Sequence, residues 1–300
     1  MPEEGIQYLP KKDLLSFEEM ERLTSLLASM GITKIRLTGG EPFVRKDLMK
    51  LIRRIVGIEG IKDVHITTNG VLTAPHIKEL KELGIASVNL SLDTLDRERF
   101  RAIAHRDEFD RVAETLNQLI QYEIPVKINA VVMDGKNTMD ILSLVELTKE
   151  KNISVRFIEE MPFNGEGSHY PTLHWTYTRI LEYIQWHYPD LQKIPDPQFS
   201  TSYSYAIPGY KGTLGVIAAF SRTFCGTCNR IRVTAQGDLK TCLYDGGVLN
   251  IKELMRSGKT DDEIREKLLL AFNNRPKDGF EAEERRKDHP VHESMSTIGG

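Results

Sequence analysis

Three cysteines occur among the 300 residues, and all lie in one short stretch: Cys225 and Cys228 as a Cys-x-x-Cys pair, then Cys242 after thirteen intervening residues. Such a pair puts two sulfurs on one tight turn, which Gly226 is expected to ease. No fourth cysteine exists, and the nearest histidines, His187 and His289, are far off in sequence. A structural zinc takes four protein ligands. A [4Fe–4S] cluster on three thiolates instead leaves one iron open to a substrate. The spacing therefore points to iron–sulfur chemistry. A zinc that borrows a ligand from elsewhere and a set of unrelated buried thiols are the alternatives.

Cations surround this signal. Arg230 and Arg232 stand two apart on an expected strand just after the pair, so they share a face. Guanidinium groups suit bidentate phosphate binding, although two surface arginines on an edge strand would look the same. Lys127 and Arg156 interrupt apolar strand patterns. A cation there is costly to bury without an anion; Glu159, Asp93 or a ligand phosphate would serve. Gly39-Gly40-Glu41-Pro42 follows a strand and reads as a backbone cradle or an ordinary turn, with unusual φ values allowed by the glycines. Thr67-Thr68-Asn69-Gly70 reads the same two ways. The histidines show no ligand spacing.

The elements that must position these groups alternate. Helical spacing predicts helices over 17–30, 46–56, 75–83, 109–122 and 137–149. Strands are expected at 34–38, 64–68, 88–92, 126–132 and 155–159. This alternation predicts a parallel sheet with helical crossovers, whose site forms at the C-terminal strand ends. After Met161 the chain becomes rich in Pro, Tyr, Ser and Gly. One helix is expected near 177–186, with Tyr203 and Tyr205 in a loop. Short strands (215–220, 231–235, 239–242) should surround the cysteines, followed by a helix over 261–272 and a solvated charge run at 281–289. The domain reading is therefore 1–161 for the barrel core and 162–300 for a substrate- and cluster-binding region.

A net charge of −3 argues against nucleic-acid binding. No apolar run approaches the ~18 residues of a membrane span. Three clustered thiols fit a reducing, cytoplasmic setting.

Taken together the motifs closely resemble the GTP 3′,8-cyclase family (molybdenum cofactor biosynthesis protein A) of the radical S-adenosylmethionine superfamily. They are Thr38-Gly39-Gly40-Glu41-Pro42, Ile66-Thr67-Thr68-Asn69-Gly70, Asn89-Leu90-Ser91-Leu92-Asp93-Thr94-Leu95, Arg156-Phe157-Ile158-Glu159-Glu160-Met161, the segment from Phe224 to Arg232 and the final Gly299-Gly300. The resemblance implies conversion of GTP to (8S)-3′,8-cyclo-7,8-dihydroguanosine 5′-triphosphate in molybdopterin biosynthesis. It implies S-adenosylmethionine and two [4Fe–4S] clusters in the family. Cys225, Cys228 and Cys242 would hold the second cluster. Arg36, Thr67, Lys127, Arg156, Arg230 and Arg232 would hold GTP, and Gly40, Ser91 and Met161 would contact S-adenosylmethionine. The Gly299-Gly300 tail would reach into the barrel. Cyclic pyranopterin monophosphate synthase would act downstream, and the family often forms homodimers.

One departure matters. The family's first cluster needs a Cys-x3-Cys-x2-Cys motif on the first barrel strand, and these 300 residues contain none. The fold expected is therefore an incomplete α/β barrel of the radical S-adenosylmethionine type that lacks its first strand, with a C-terminal extension bearing a three-cysteine iron–sulfur site. One cluster rather than two is expected, and the chain as written is expected not to generate the radical. A non-catalytic GTP- and iron–sulfur-binding fragment is the competing reading.

Overall fold

Helices and strands alternate from Phe17 to Glu159, as the apolar spacing requires. The structure, a computed structural model, describes residues 9–161 and 173–285. In chain order the elements are α1 (Phe17–Ser29), β1 (Lys34–Leu37), α2 (Leu48–Val56), β2 (Asp63–Thr68), α3 (Ile77–Glu82), β3 (Ser87–Ser91), α4 (Arg97–Ala104), α5 (Phe109–Gln121), β4 (Val126–Val132), α6 (Ile141–Glu150) and β5 (Ser154–Glu159). Then follow α7 (Tyr177–His187), β6 (Gln192–Lys193), β7 (Tyr203–Ala206), β8 (Thr213–Ile217), β9 (Arg232–Val233), β10 (Asp238–Lys240), β11 (Leu249–Asn250), α8 (Ile251–Arg256), α9 (Asp261–Asn273) and α10 (Gly279–Glu284). The described residues form two compact units: 65–161 with 173–228, and 9–64 with 229–285. Contact thus groups both ends of the chain, whereas the sequence reading divides it at 161/162.

In the first unit the strands run β2-β3-β4-β5-β8-β7-β6. The pairings from β2 to β8 are parallel, and β7 and β6 add antiparallel. The five expected strands are present. The strand expected at 215–220 is β8 at 213–217, and it joins β5 in the main sheet instead of lying around the cysteines. Tyr203 and Tyr205, expected in a loop, lie on β7, where the Tyr203 hydroxyl donates to Thr223 Oγ1 at 2.9 Å.

Alternation along the strands separates two faces. Val88, Leu90, Ile128, Val132, Val155 and Phe157 are buried on one of them. α5 contributes Val112, Thr115, Leu116 and Leu119 to the core, at helical spacing. Each fully buried aliphatic side chain contributes roughly 1.5–3 kcal/mol. The other face carries Asn89, Ser91, Lys127, Asn129 and Arg156. Parallel sheets usually hide apolar residues on both faces, so a polar face here calls for an occupant.

The second unit has its own core of Leu23, Leu26, Leu27, Leu239, Ile251, Met255, Ile264 and Leu268. These residues come from α1, β10, α8 and α9, beside the antiparallel sheet β11-β10-β9. Ser16 and Glu19 form a capping box on α1, and Thr260 and Glu263 form one on α9. α10 occupies the start of what the sequence reading took for a solvated charge run.

Candidate functional site

In the first unit, strand register sets the polar face in rows. Thr67 on β2 pairs with Asn89 on β3, and Asn89 with Lys127 on β4. Ser91 pairs with Asn129, Asn129 with Arg156, and Arg156 with Gly215. The predicted residues Thr67, Ser91, Lys127 and Arg156 therefore share one face. Thr67 accepts a hydrogen bond from Asn89 Nδ2 at 3.3 Å. Its neighbour Thr68 points the other way and shapes the turn, accepting from Gly70 N–H at 3.0 Å and bonding Thr73 Oγ1 at 2.8 Å. Met161 follows β5 and is half-buried.

Two residues on this face escaped the sequence reading. Among the described residues, the buried Oδ1 atoms of Asn89 and Asn129 have no hydrogen-bond partner. A buried acceptor left unpaired costs about 1–3 kcal/mol, which a bound donor would recover. The signal was available: each asparagine sits at an inward position of an alternating strand. Gly215 is required for space. A Cβ there would lie 2.3 Å from Ser202 Oγ and 3.1 Å from Arg156 Cγ, so glycine leaves room for the Arg156 stem.

Glu159, offered as a partner for a buried cation, does something else. It lies three residues from Arg156 on β5, hence on the opposite face. Its carboxylate accepts from Tyr177 N–H (2.7 Å), Phe220 N–H (2.9 Å), Ser221 N–H (2.7 Å) and Ser221 Oγ (2.7 Å). This fully buried group ties the end of β5 to α7 and to the loop that leads into the cysteines. Asp93 lies near the rim of the polar face. Burial pushes its carboxyl up to about 6, partly offset by the Val131 N–H it accepts at 2.8 Å.

Cys225 begins a single 3-10 turn that ends at Thr227, and Cys228 N–H donates to the Cys225 carbonyl at 3.2 Å. Both cysteines are half-buried. Gly226 was expected to ease the turn. It keeps an ordinary φ, and a Cβ there would meet nothing within 4 Å.

The second unit holds Arg36, Gly40, Arg230, Arg232 and Cys242. Arg36 is solvent-accessible yet has much protein around it. Desolvation, with the positive charges of Arg230 and Arg232 added, lowers its pKa to about 10. Among the described residues, no carboxylate acts on Arg36 to offset this. The three guanidinium groups are close enough for the charges of Arg230 and Arg232 to act on Arg36. Gly39 adopts φ +133°, as expected for the glycine pair, and Gly40 is exposed. Cys242 sits on a turn gathered by Asp245.

A single tetrahedral ion draws sulfur ligands to about 3.8 Å of one another. Among the described residues, no three His, Cys, Asp or Glu side chains are gathered in this way. A cluster, whose ligands sit on separate irons, makes no such demand. Cys225 and Cys228, half-buried on one 3-10 turn, are a sulfur donor pair of the kind that holds a cluster. Gly299 and Gly300 lie outside the described residues. Among the described residues, no helix is long and apolar enough to cross a membrane.

Residues 3–148 match the Radical SAM superfamily model, and residues 153–281 match Molybdenum Cofactor Synthesis C. The GTP 3′,8-cyclase of Chlorobaculum tepidum is 37% identical over 95% of this chain and 86% of its own length. The mitochondrial GTP 3′,8-cyclase of Arabidopsis thaliana is 39% identical over 89% of this chain and 68% of its own. Molybdenum cofactor biosynthesis protein 1 of Mus musculus is 40% identical over 88% of this chain but 42% of its own length. The chain spans about half or less of the length of the animal and Dictyostelium relatives it matches. The fold is shared with Streptococcus suis SuiB bound to S-adenosylmethionine, at TM-score 0.56 and 16% identity, over 87% of this chain and 62% of that one.

Proposed function

The chain belongs to the GTP 3′,8-cyclase family of molybdenum cofactor biosynthesis, and from that premise we propose that it binds GTP for conversion to (8S)-3′,8-cyclo-7,8-dihydroguanosine 5′-triphosphate. The observation that carries this reading is the Arg36, Arg230 and Arg232 trio, whose mutual repulsion a triphosphate would relieve. Lys127 and Arg156 add positive charge on the polar sheet face, and Thr67 adds a hydroxyl. Ser91, Gly40 and Met161 are the proposed contacts of S-adenosylmethionine. Cys225, Cys228 and Cys242 are the proposed ligands of a [4Fe–4S] cluster. When bound, these cofactors supply radical chemistry that joins ribose C3′ to guanine C8. The chain's own residues orient the polyanion, desolvate it and keep water from the reacting atoms.

Cyclic pyranopterin monophosphate synthase is the proposed consumer of the product. A homodimer is the proposed assembly and the cytoplasm the proposed compartment. The Gly299-Gly300 tail is the proposed element that completes the site.

The competing reading is a GTP- and cluster-binding role without radical generation. Calorimetry of GTP binding tests the shared part. Arg36→Ala and Arg230→Ala should each weaken binding by about tenfold or more, the effect of a lost charge-assisted contact; unchanged affinity would refute the anion site. Anaerobic reconstitution of the 300 residues separates the two readings, since 5′-deoxyadenosine formation would dismiss the second.

A further inference from the structure

We propose that Asp245 is a positioning residue, which preforms the Cys242 turn for the cluster and keeps the Cys242 amide away from sulfur. The inference rests on the reading that Cys242 is a cluster ligand. Asp245 is buried, 7% exposed. Its Oδ2 accepts from the consecutive amides of Thr241 and Cys242, both at 2.7 Å, and from Thr241 Oγ1 at 3.0 Å. Its Oδ1 accepts from Gly247 N–H at 3.0 Å. The buried Lys240 ammonium donates to the Asp245 carbonyl at 3.0 Å, which closes the turn from the other side.

Consecutive amides that converge on one point form an anion-binding nest. Here the chain fills that nest with its own carboxylate, so the turn needs no ligand to hold its shape. Two consequences follow. The Cys242 sulfur is offered from a fixed backbone, which favours retention of iron. The Cys242 N–H is committed to oxygen. Hydrogen bonds to sulfur and local charge set cluster potentials; withholding the first and adding a negative charge both hold the potential low.

The test uses the reconstituted full chain, with iron and sulfide content, the rate of iron loss to a chelator and the midpoint potential as readouts. Asp245→Ala should release iron at least tenfold faster and move the potential positive. Asp245→Asn, which keeps an acceptor but not the charge, should move the potential positive with a smaller change in rate. If wild type binds no cluster, or Cys242→Ser matches it, the cluster reading itself fails. If Cys242→Ser loses iron while both Asp245 variants match wild type, only the present inference is overturned. Should the Asp245 variants not fold, Thr241→Val removes just the hydroxyl donor. It should release iron faster in the same direction, and an unchanged rate overturns the inference.

Discussion

Arg156 and Phe157 are covalent neighbours on β5, yet they face opposite worlds. Phe157 is fully buried on the apolar face, whereas Arg156 stands half-buried in a row with Asn129 and Ser91. One face of the sheet packs the core and the other carries the polar residues of the candidate site. The pair is open to a direct test. Phe157→Ala should destabilise the protein by about 3–5 kcal/mol, the cost of truncating a core aromatic, read from urea midpoints. Arg156→Ala should change stability by less than about 1 kcal/mol while weakening GTP binding about tenfold or more. If Arg156→Ala instead unfolds the protein and leaves GTP affinity intact in the folded fraction, the division of labour between faces is wrong.

Asp93 lies near the rim of the polar face and supplies the next effect in size. Burial pushes its folded-state pKa up to about 6, above the ordinary 3.8. Between those values the native state binds the proton and the unfolded state does not. The contribution is therefore present in full at low pH and is lost as pH rises through about 6, on the order of 3 kcal/mol in all. Asp93→Asn should flatten that slope, and matching slopes in wild type and variant, from urea midpoints at pH 4.5 and 7, would remove Asp93 from the account.

Much of this division was legible in the sequence. Val112, Leu116 and Leu119 announced α5 by spacing. Strand alternation placed Lys127 and Arg156 against apolar neighbours. Of the three partners offered for a buried cation, Glu159 could have been set aside for Arg156, since three residues along a strand reverse the face. What was not legible is the long-range pairing. Nothing local in Thr213–Ile217 says that it lies parallel to β5, and nothing near Glu159 says that its acceptors meet the amides of residues 220 and 221. The short helices α4 and α8 were not legible either. Asn250 caps α8 by accepting from Glu253 N–H at 2.9 Å, a signature too brief to stand out.

Gly215 sits beside Arg156 in the sheet, and its replacement should cost less stability than Phe157→Ala. The glycine belongs to β8, which pairs with β5 on one side and β7 on the other. A methyl group there meets Ser202 Oγ at 2.3 Å and the Arg156 stem at 3.1 Å. Backbone conformation is not at issue, because Gly215 keeps an ordinary φ. Overpacking of this kind costs about 1–3 kcal/mol, and the flexible Arg156 stem should hold Gly215→Ala near the lower end. Ser202→Ala removes the closer obstacle. The double variant should then recover most of the stability lost by Gly215→Ala, while GTP binding stays weakened because Arg156 is still displaced. Recovery of both together would mean that Arg156 is positioned by Ser202 rather than by the space above Gly215.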